Sequence, residues 1–183
     1  MNQKLFLAIP LSAEVSLAVS QAQRSIARID KHIIIVDSDQ LFIKLHRLGS
    51  VPEKQSHLLI PKLRELIKTI DPFQVEITFL ETRYNRHEKS QVLLNLKVDE
   101  TFKNISQFLD QHQIFQPRKV TPELTIAYVS KEDPTQVKRI LSDIDNLGIG
   151  MVTVFDVQRL LLVEELWSKK GVFLRVVSQL PLC

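Results

Sequence analysis

A chain of 183 residues with 44% hydrophobic and 25% charged residues has the apolar content to bury a core, which excludes wholesale disorder. Its net charge of +3 and pI near 9.0 admit an anionic partner, because a small excess of cations can still be gathered on one face. One cysteine, Cys183, excludes an intramolecular disulfide and a cysteine-based metal cluster and suits a reducing cytoplasm, the expected location. No run approaches the ~18 consecutive apolar residues of a membrane span, so no membrane partner is expected.

In chain order, KLFLAIP at 4–10 predicts a buried strand. Ser12 stands where an N-cap belongs, and Val15, Ala18, Val19, Ala22, Ile26 and Ile29 recur at helical spacing. The opening lysine and apolar run look like a secretory leader, but Pro10 breaks the run and no cleavage pattern follows, so none is expected. HIIIVD and QLFIKLHRLG predict two strands separated by the turn DSDQ. After Pro52 a helix is marked by Leu59, Leu63, Leu66 and Ile70, ending before Asp71. FQVEITFL and QVLLNLKV predict a hairpin across the polar segment ETRYNRHEKS at 81–90. From Asp99, a candidate N-cap, the residues Phe102, Ile105, Phe108 and Leu109 mark another helix. PRKVTPELTIAYVS predicts a loop and a strand, and Asp133-Pro134 starts a helix lined by Val137, Ile140, Leu141 and Ile144, with Gly148 and Gly150 at its end. MVTVFDVQRLLLVEEL and GVFLRVVSQLPL predict a long terminal hairpin joined by WSKKG.

Short hairpins mixed with helical crossovers indicate an α+β or mixed α/β class rather than a purely parallel sheet. Only four glycines occur, which excludes a glycine-rich phosphate loop. FIKLHRLG and TPELTIAY look like a degenerate repeat, one copy in each half. It is on these two stretches that the sequence resembles the 2H phosphoesterase superfamily, in particular the bacterial 2′-5′ RNA ligase and 2′,3′-cyclic phosphodiesterase group. The first of that group's two His-x-Thr/Ser motifs sits in a stretch like HITLRFLG, whose apolar frame is kept as Ile43, Leu45, Leu48 and Gly49. The second sits in TPHLTLAR, matched by Thr121, Pro122, Leu124, Thr125, Ile126 and Ala127. LFLAIPLS and the terminal hairpin are similar to the family's first strand and last hairpin.

The resemblance implies a single bilobal domain over 1–183, with two pseudo-repeated lobes whose antiparallel sheets face a central groove, helices outside, and phosphodiester ends bound between them. It implies one histidine acting as base while the other acts as acid; no cofactor and no metal are expected. Carried over position by position, the first histidine is Phe42, the first threonine is Lys44, the second histidine is Glu123, and the second threonine is kept as Thr125. Phe42 cannot transfer a proton, so the family mechanism is not expected to operate.

Strand alternation predicts that Phe42, Lys44 and His46 share the groove face, with Leu41, Ile43 and Leu45 behind it. Lys44 suits a phosphate and Phe42 suits stacking on a base. His46, four residues from the lost histidine, is the candidate acid or base of a rearranged site together with Glu123 and Thr125. Glu123 and Lys44 are also candidates for a salt bridge that closes the old site. Arg83, Tyr84, Arg86, His87 and Lys89 interleave cations with an aromatic, which suits single-stranded RNA. His32, His57, His87 and His112 have no motif context and are assigned to surface or turn positions. Glu164 and Glu165 are adjacent in a strand, so they point to opposite faces and form no metal site. Three functions follow as alternatives: an RNA-end, nucleotide or phosphate binder without family-type catalysis, a rearranged phosphodiesterase or RNA ligase-like enzyme, and a protein-interaction scaffold with a closed groove.

Overall fold

The computed structural model describes residues 2–86, 89–98, 100, 104–105, 107, 123–130, 133–168 and 171–183. The chain forms strand β1 (Asn2–Pro10), helix α1 (Ala13–Ala27), strands β2 (Ile33–Ile35) and β3 (Phe42–Pro52), helix α2 (Glu53–Ile67), and strands β4 (Phe73–Arg83), β5 (Ser90–Val98) and β6 (Leu124–Val129). Helix α3 (Pro134–Asp145) and strands β7 (Gly150–Val157), β8 (Arg159–Ser168) and β9 (Gly171–Pro181) complete it. The helix expected from Asp99 falls largely outside the described residues, as do Phe102, Phe108, Leu109, Thr121, Pro122, His87, His112 and Lys169–Lys170 of the WSKKG turn; Ile105 from that helix is buried.

Local chemistry accounts for most of these boundaries. The Ser12 hydroxyl accepts from the Val15 amide at 3.2 Å and opens α1, whose buried face is Val15, Val19, Ala22 and Ile26. The Asp133 carboxylate does the same for α3, accepting from the Thr135 amide at 3.0 Å, and Gly148 takes the left-handed φ of +56° just beyond its end. Asp133→Ala is therefore expected to lower stability by about 1 kcal/mol, read as a drop in the denaturant midpoint at unchanged slope. In α2 the apolar stripe is Leu59, Leu63 and Ile67, so the helix stops a turn earlier than Ile70.

The strands form two antiparallel sheets, a four-stranded one in the order β3-β1-β8-β9 and a five-stranded one in the order β2-β6-β5-β4-β7. Helix α2 packs on the first, and α1 and α3 on the second. One apolar core joins both, including Leu7, Ile43, Leu45 and Leu162 from the first sheet and Val75, Val92, Ile126 and Phe155 from the second. Gln23 of α1, itself buried, ties this core to the second sheet: its amide donates to the carbonyls of Val36 at 2.8 Å and Ile126 at 2.9 Å.

The expected terminal hairpin needs a correction. Residues 151–166, read as one strand, are two strands that separate at Gln158 and enter different sheets, β7 pairing with β4 and β8 with β1 and β9. No glycine or proline marks the break, and both Val157 and Leu160 are core residues. Only the competition between two sheets for the same apolar run decides where the chain crosses.

Candidate functional site

The motif strands meet where the two sheets approach. Lys44 and Glu123 form an isolated antiparallel bridge between β3 and the start of β6, so the two stretches that resemble each other in sequence lie side by side.

Both strands carry an irregularity that resets which residues face the groove. Along β3, Lys44 stands opposite Ala8, but His46 stands opposite Leu7 and Arg47 opposite Phe6. Residues directly opposite in an antiparallel pair share a face, so the extra residue Leu45 flips the alternation. Lys44 and Arg47 share the groove face with Phe6 and Ala8, while His46 turns with Leu7 to the core side and is 2% exposed. The expectation that His46 joins Phe42 and Lys44 is thereby overturned: alternation fails at the bulge. Along β6 the same thing happens. Thr125 stands opposite Leu93, Ala127 opposite Val92 and Tyr128 opposite Gln91, so the extra residue is Ile126 and the pair sharing a face is Thr125 and Tyr128.

The groove floor is built from these side chains. Phe42 packs on an apolar patch of Phe6, Ala8, Leu161, Val163 and Leu174. The Lys44 ammonium lies 5.6 Å from the Phe6 ring centroid, within reach of its π face. Burial and the neighbouring Arg47 guanidinium hold the Lys44 pKa below the ordinary lysine value, with Glu165 and Glu123 acting the other way. Burial, and the carboxylates of Glu123 and Glu165, push the Tyr128 phenol up, against a hydrogen bond with Thr125.

Glu123 and Lys44 are joined through the backbone, but the expected salt bridge between them is not the one that forms. The Glu123 carboxylate accepts from Arg83 Nη1 at 2.8 Å. Arg83 can reach it because β4 ends with Arg83 opposite Gln91, which in turn stands opposite Tyr128. The next residue, Tyr84, lies on the other side of the sheet, where Lys138 of α3 sits over its ring at 5.3 Å. Tyr84 and Arg86 are thus separated from Arg83, on the other face of the sheet.

The structure therefore brings together Phe42, Lys44, Glu123, Thr125 and Arg83 and leaves out His46, Tyr84 and Arg86. Arg47, Tyr128 and Glu165 belong to the groove and were missed. The one sequence signal for the first two is their equal spacing, since Arg47 follows Lys44 and Tyr128 follows Thr125 by the same three residues. Elsewhere, Glu164 is buried against Arg175 on the face opposite Glu165, His32 is bonded to Asp30 at 2.7 Å, and His57 is exposed. Among the described residues no group of three or more His, Cys, Asp or Glu side chains is placed to hold a metal ion, and no helix is long and apolar enough to cross a membrane.

Chemically the floor offers three cations, two carboxylates and two hydroxyls. Nothing at Phe42 takes or gives a proton, and the Glu123 carboxylate is engaged by Arg83. Charge neutralisation and hydrogen bonding to an anion are available there.

Two antiparallel sheets enclosing such a groove, with helices outside, are the fold of the 2H phosphoesterases. No family model matches the chain. It is 25% identical over 166 residues to the RNA 2′,3′-cyclic phosphodiesterase of Methanothermobacter thermautotrophicus, covering 86% of this chain and 88% of that protein. The crystal structure of TT0787 of Thermus thermophilus superposes with a TM-score of 0.74 at 16% identity, covering 97% of each chain. E. coli LigT in its apo form superposes with a TM-score of 0.68 at 14% identity, covering 99% of this chain and 98% of that one. Sequence and fold agree in their likeness: the chain is similar to 2H phosphoesterases and has the LigT-like form of their fold.

Proposed function

We propose that this chain binds a phosphate-bearing RNA end or nucleotide in the groove and has lost family-type acid-base catalysis. The observation that carries this is the pairing of Lys44 and Arg47. The two cations on this face, Lys44 half-buried and Arg47 exposed, repel each other, and burial disfavours the charge on Lys44; a folded chain gains from that arrangement when an anion arrives to share them. The Thr125 and Tyr128 hydroxyls lie on the facing strand and supply neutral donors to the same anion, with Phe42 and the Tyr128 ring available to a base. The relative's activity on RNA 2′,3′-cyclic phosphate, as its name states, and the LigT complexes with 3′-AMP and with phosphate support a ligand of this class. The division of labour continues the pseudo-repeat, Lys44 and Arg47 from one lobe facing Thr125 and Tyr128 from the other.

Glu123 works against the ligand in this reading, because its carboxylate occupies Arg83. Glu123→Gln is accordingly expected to tighten phosphate-ended RNA binding several-fold, about what releasing one exposed ion pair yields. The test is fluorescence anisotropy of a short RNA with a 3′-phosphate against the same RNA with a 3′-hydroxyl, over a salt series. Tighter binding of the phosphate end is expected, with a salt slope that falls by about 0.7 in Lys44→Gln, the value for one single-strand phosphate contact. Equal affinities for the two ends would exclude end recognition.

A further inference from the structure

Behind the five-stranded sheet, on the face away from the groove, a cavity of about 470 Å³ opens between the base of the β4–β5 hairpin and the first turns of α3. Its inner wall is apolar, formed by Val129, Val137 and Pro134, and the first two belong to the core. Tyr84 closes one side with Lys138 over its ring. Arg86 stands at the exposed rim. Ser90, 2% exposed, accepts from the Asn85 amide at 3.1 Å and keeps a hydroxyl proton to donate.

We infer that this cavity is a second ligand site, distinct from the groove, for a mononucleotide. Its volume lies in the range of small-molecule sites, roughly 300 to 1,000 Å³. Among the described lining residues two are cations and none is a carboxylate, so the mouth selects for an anion. Behind it the apolar wall and the tyrosine ring accept a flat, weakly polar body. A phosphate held by Lys138 and Arg86 with a base against Val129, Val137 and Pro134 meets both demands; inorganic phosphate satisfies only the first and adenosine only the second. The groove reading is not needed for this site, since Tyr84 and Arg83 point to opposite sides of the sheet.

Methyl NMR on the full chain separates the two sites, because Val129 and Val137 report on the cavity and Val163 on the apolar patch of the groove. Titration with AMP is expected to move the Val129 and Val137 methyls saturably. Phosphate alone and adenosine alone should each move them far less. Lys138→Glu, on an exposed helix position, should abolish those shifts and leave any Val163 response as in the wild type. The inference is overturned if millimolar AMP leaves Val129 and Val137 unmoved, if their shifts survive Lys138→Glu, or if phosphate alone reproduces them. Movement of Val129 and Val137 without Val163 would retain this site and count against the groove; movement of Val163 alone would do the reverse.

Discussion

RNA ending in a 2′,3′-cyclic phosphate is expected to remain uncleaved by this chain under conditions where a 2H phosphoesterase with both histidines turns it over. Loss of one general acid or base costs about two to four powers of ten in rate, and neither position that the resemblance assigns to a histidine, Phe42 or Glu123, carries one. Phe42 has no proton to move and is packed on the Phe6, Ala8 and Leu161 patch. Glu123 is held by Arg83 at 2.8 Å. The obvious rescue, His46, lies on the other side of β3 and is 2% exposed. The check is product formation from a cyclic-phosphate oligonucleotide at high protein concentration, with Glu123→Ala beside the wild type. Turnover that vanishes in Glu123→Ala would overturn the loss of catalysis and assign that carboxylate the proton transfer.

Lys44→Glu is expected to weaken phosphate-ended RNA binding by tenfold to a hundredfold or more. A hydrogen bond to a charged group contributes about 1.5 to 3 kcal/mol, and the substitution adds a repulsive carboxylate beside Glu123 and Glu165. Lys44→Met separates this from unfolding. It removes a cation that burial and Arg47 both disfavour, so folded stability should equal or exceed the wild type while affinity is lost, the pattern of a residue kept for binding at some expense of stability. A marked loss of stability in Lys44→Met would make Lys44 structural instead. The pH dependence has the matching sign. The folded pKa of Lys44 lies below the ordinary 10.5, so the unfolded chain holds that proton more firmly. The stability deficit from this group is full below the folded pKa and is relieved as pH rises through it toward the unfolded value. Affinity for an anion falls over the same window, as the ammonium is lost.

Much of this architecture was legible in local patterns. The caps at Ser12 and Asp133, the helical spacing of Val15 to Ile26 and of Val137 to Ile144, and the hairpin around 81–90 depend on neighbours a few residues away, and the structure shows each. The resemblance to 2H phosphoesterases was legible too, because apolar positions such as Ile43, Leu45 and Ile126 are held by core burial even where the motif residues have changed. The split of 151–166 at Gln158 and the placement of Arg83 on one face of its sheet with Tyr84 and Arg86 on the other were not.

The sequence by itself determined the elements, the two related motif strands and the absence of a histidine at Phe42 and Glu123, since these follow from composition and short-range spacing. The tertiary structure alone decided which side chains form the site. A bulge at Leu45 and another at Ile126 exist only because each strand is registered against a partner distant in the chain, and each turns the following residues over. That is why His46 left the groove, why Arg47 and Tyr128 entered it, and why Arg83 rather than Lys44 holds Glu123.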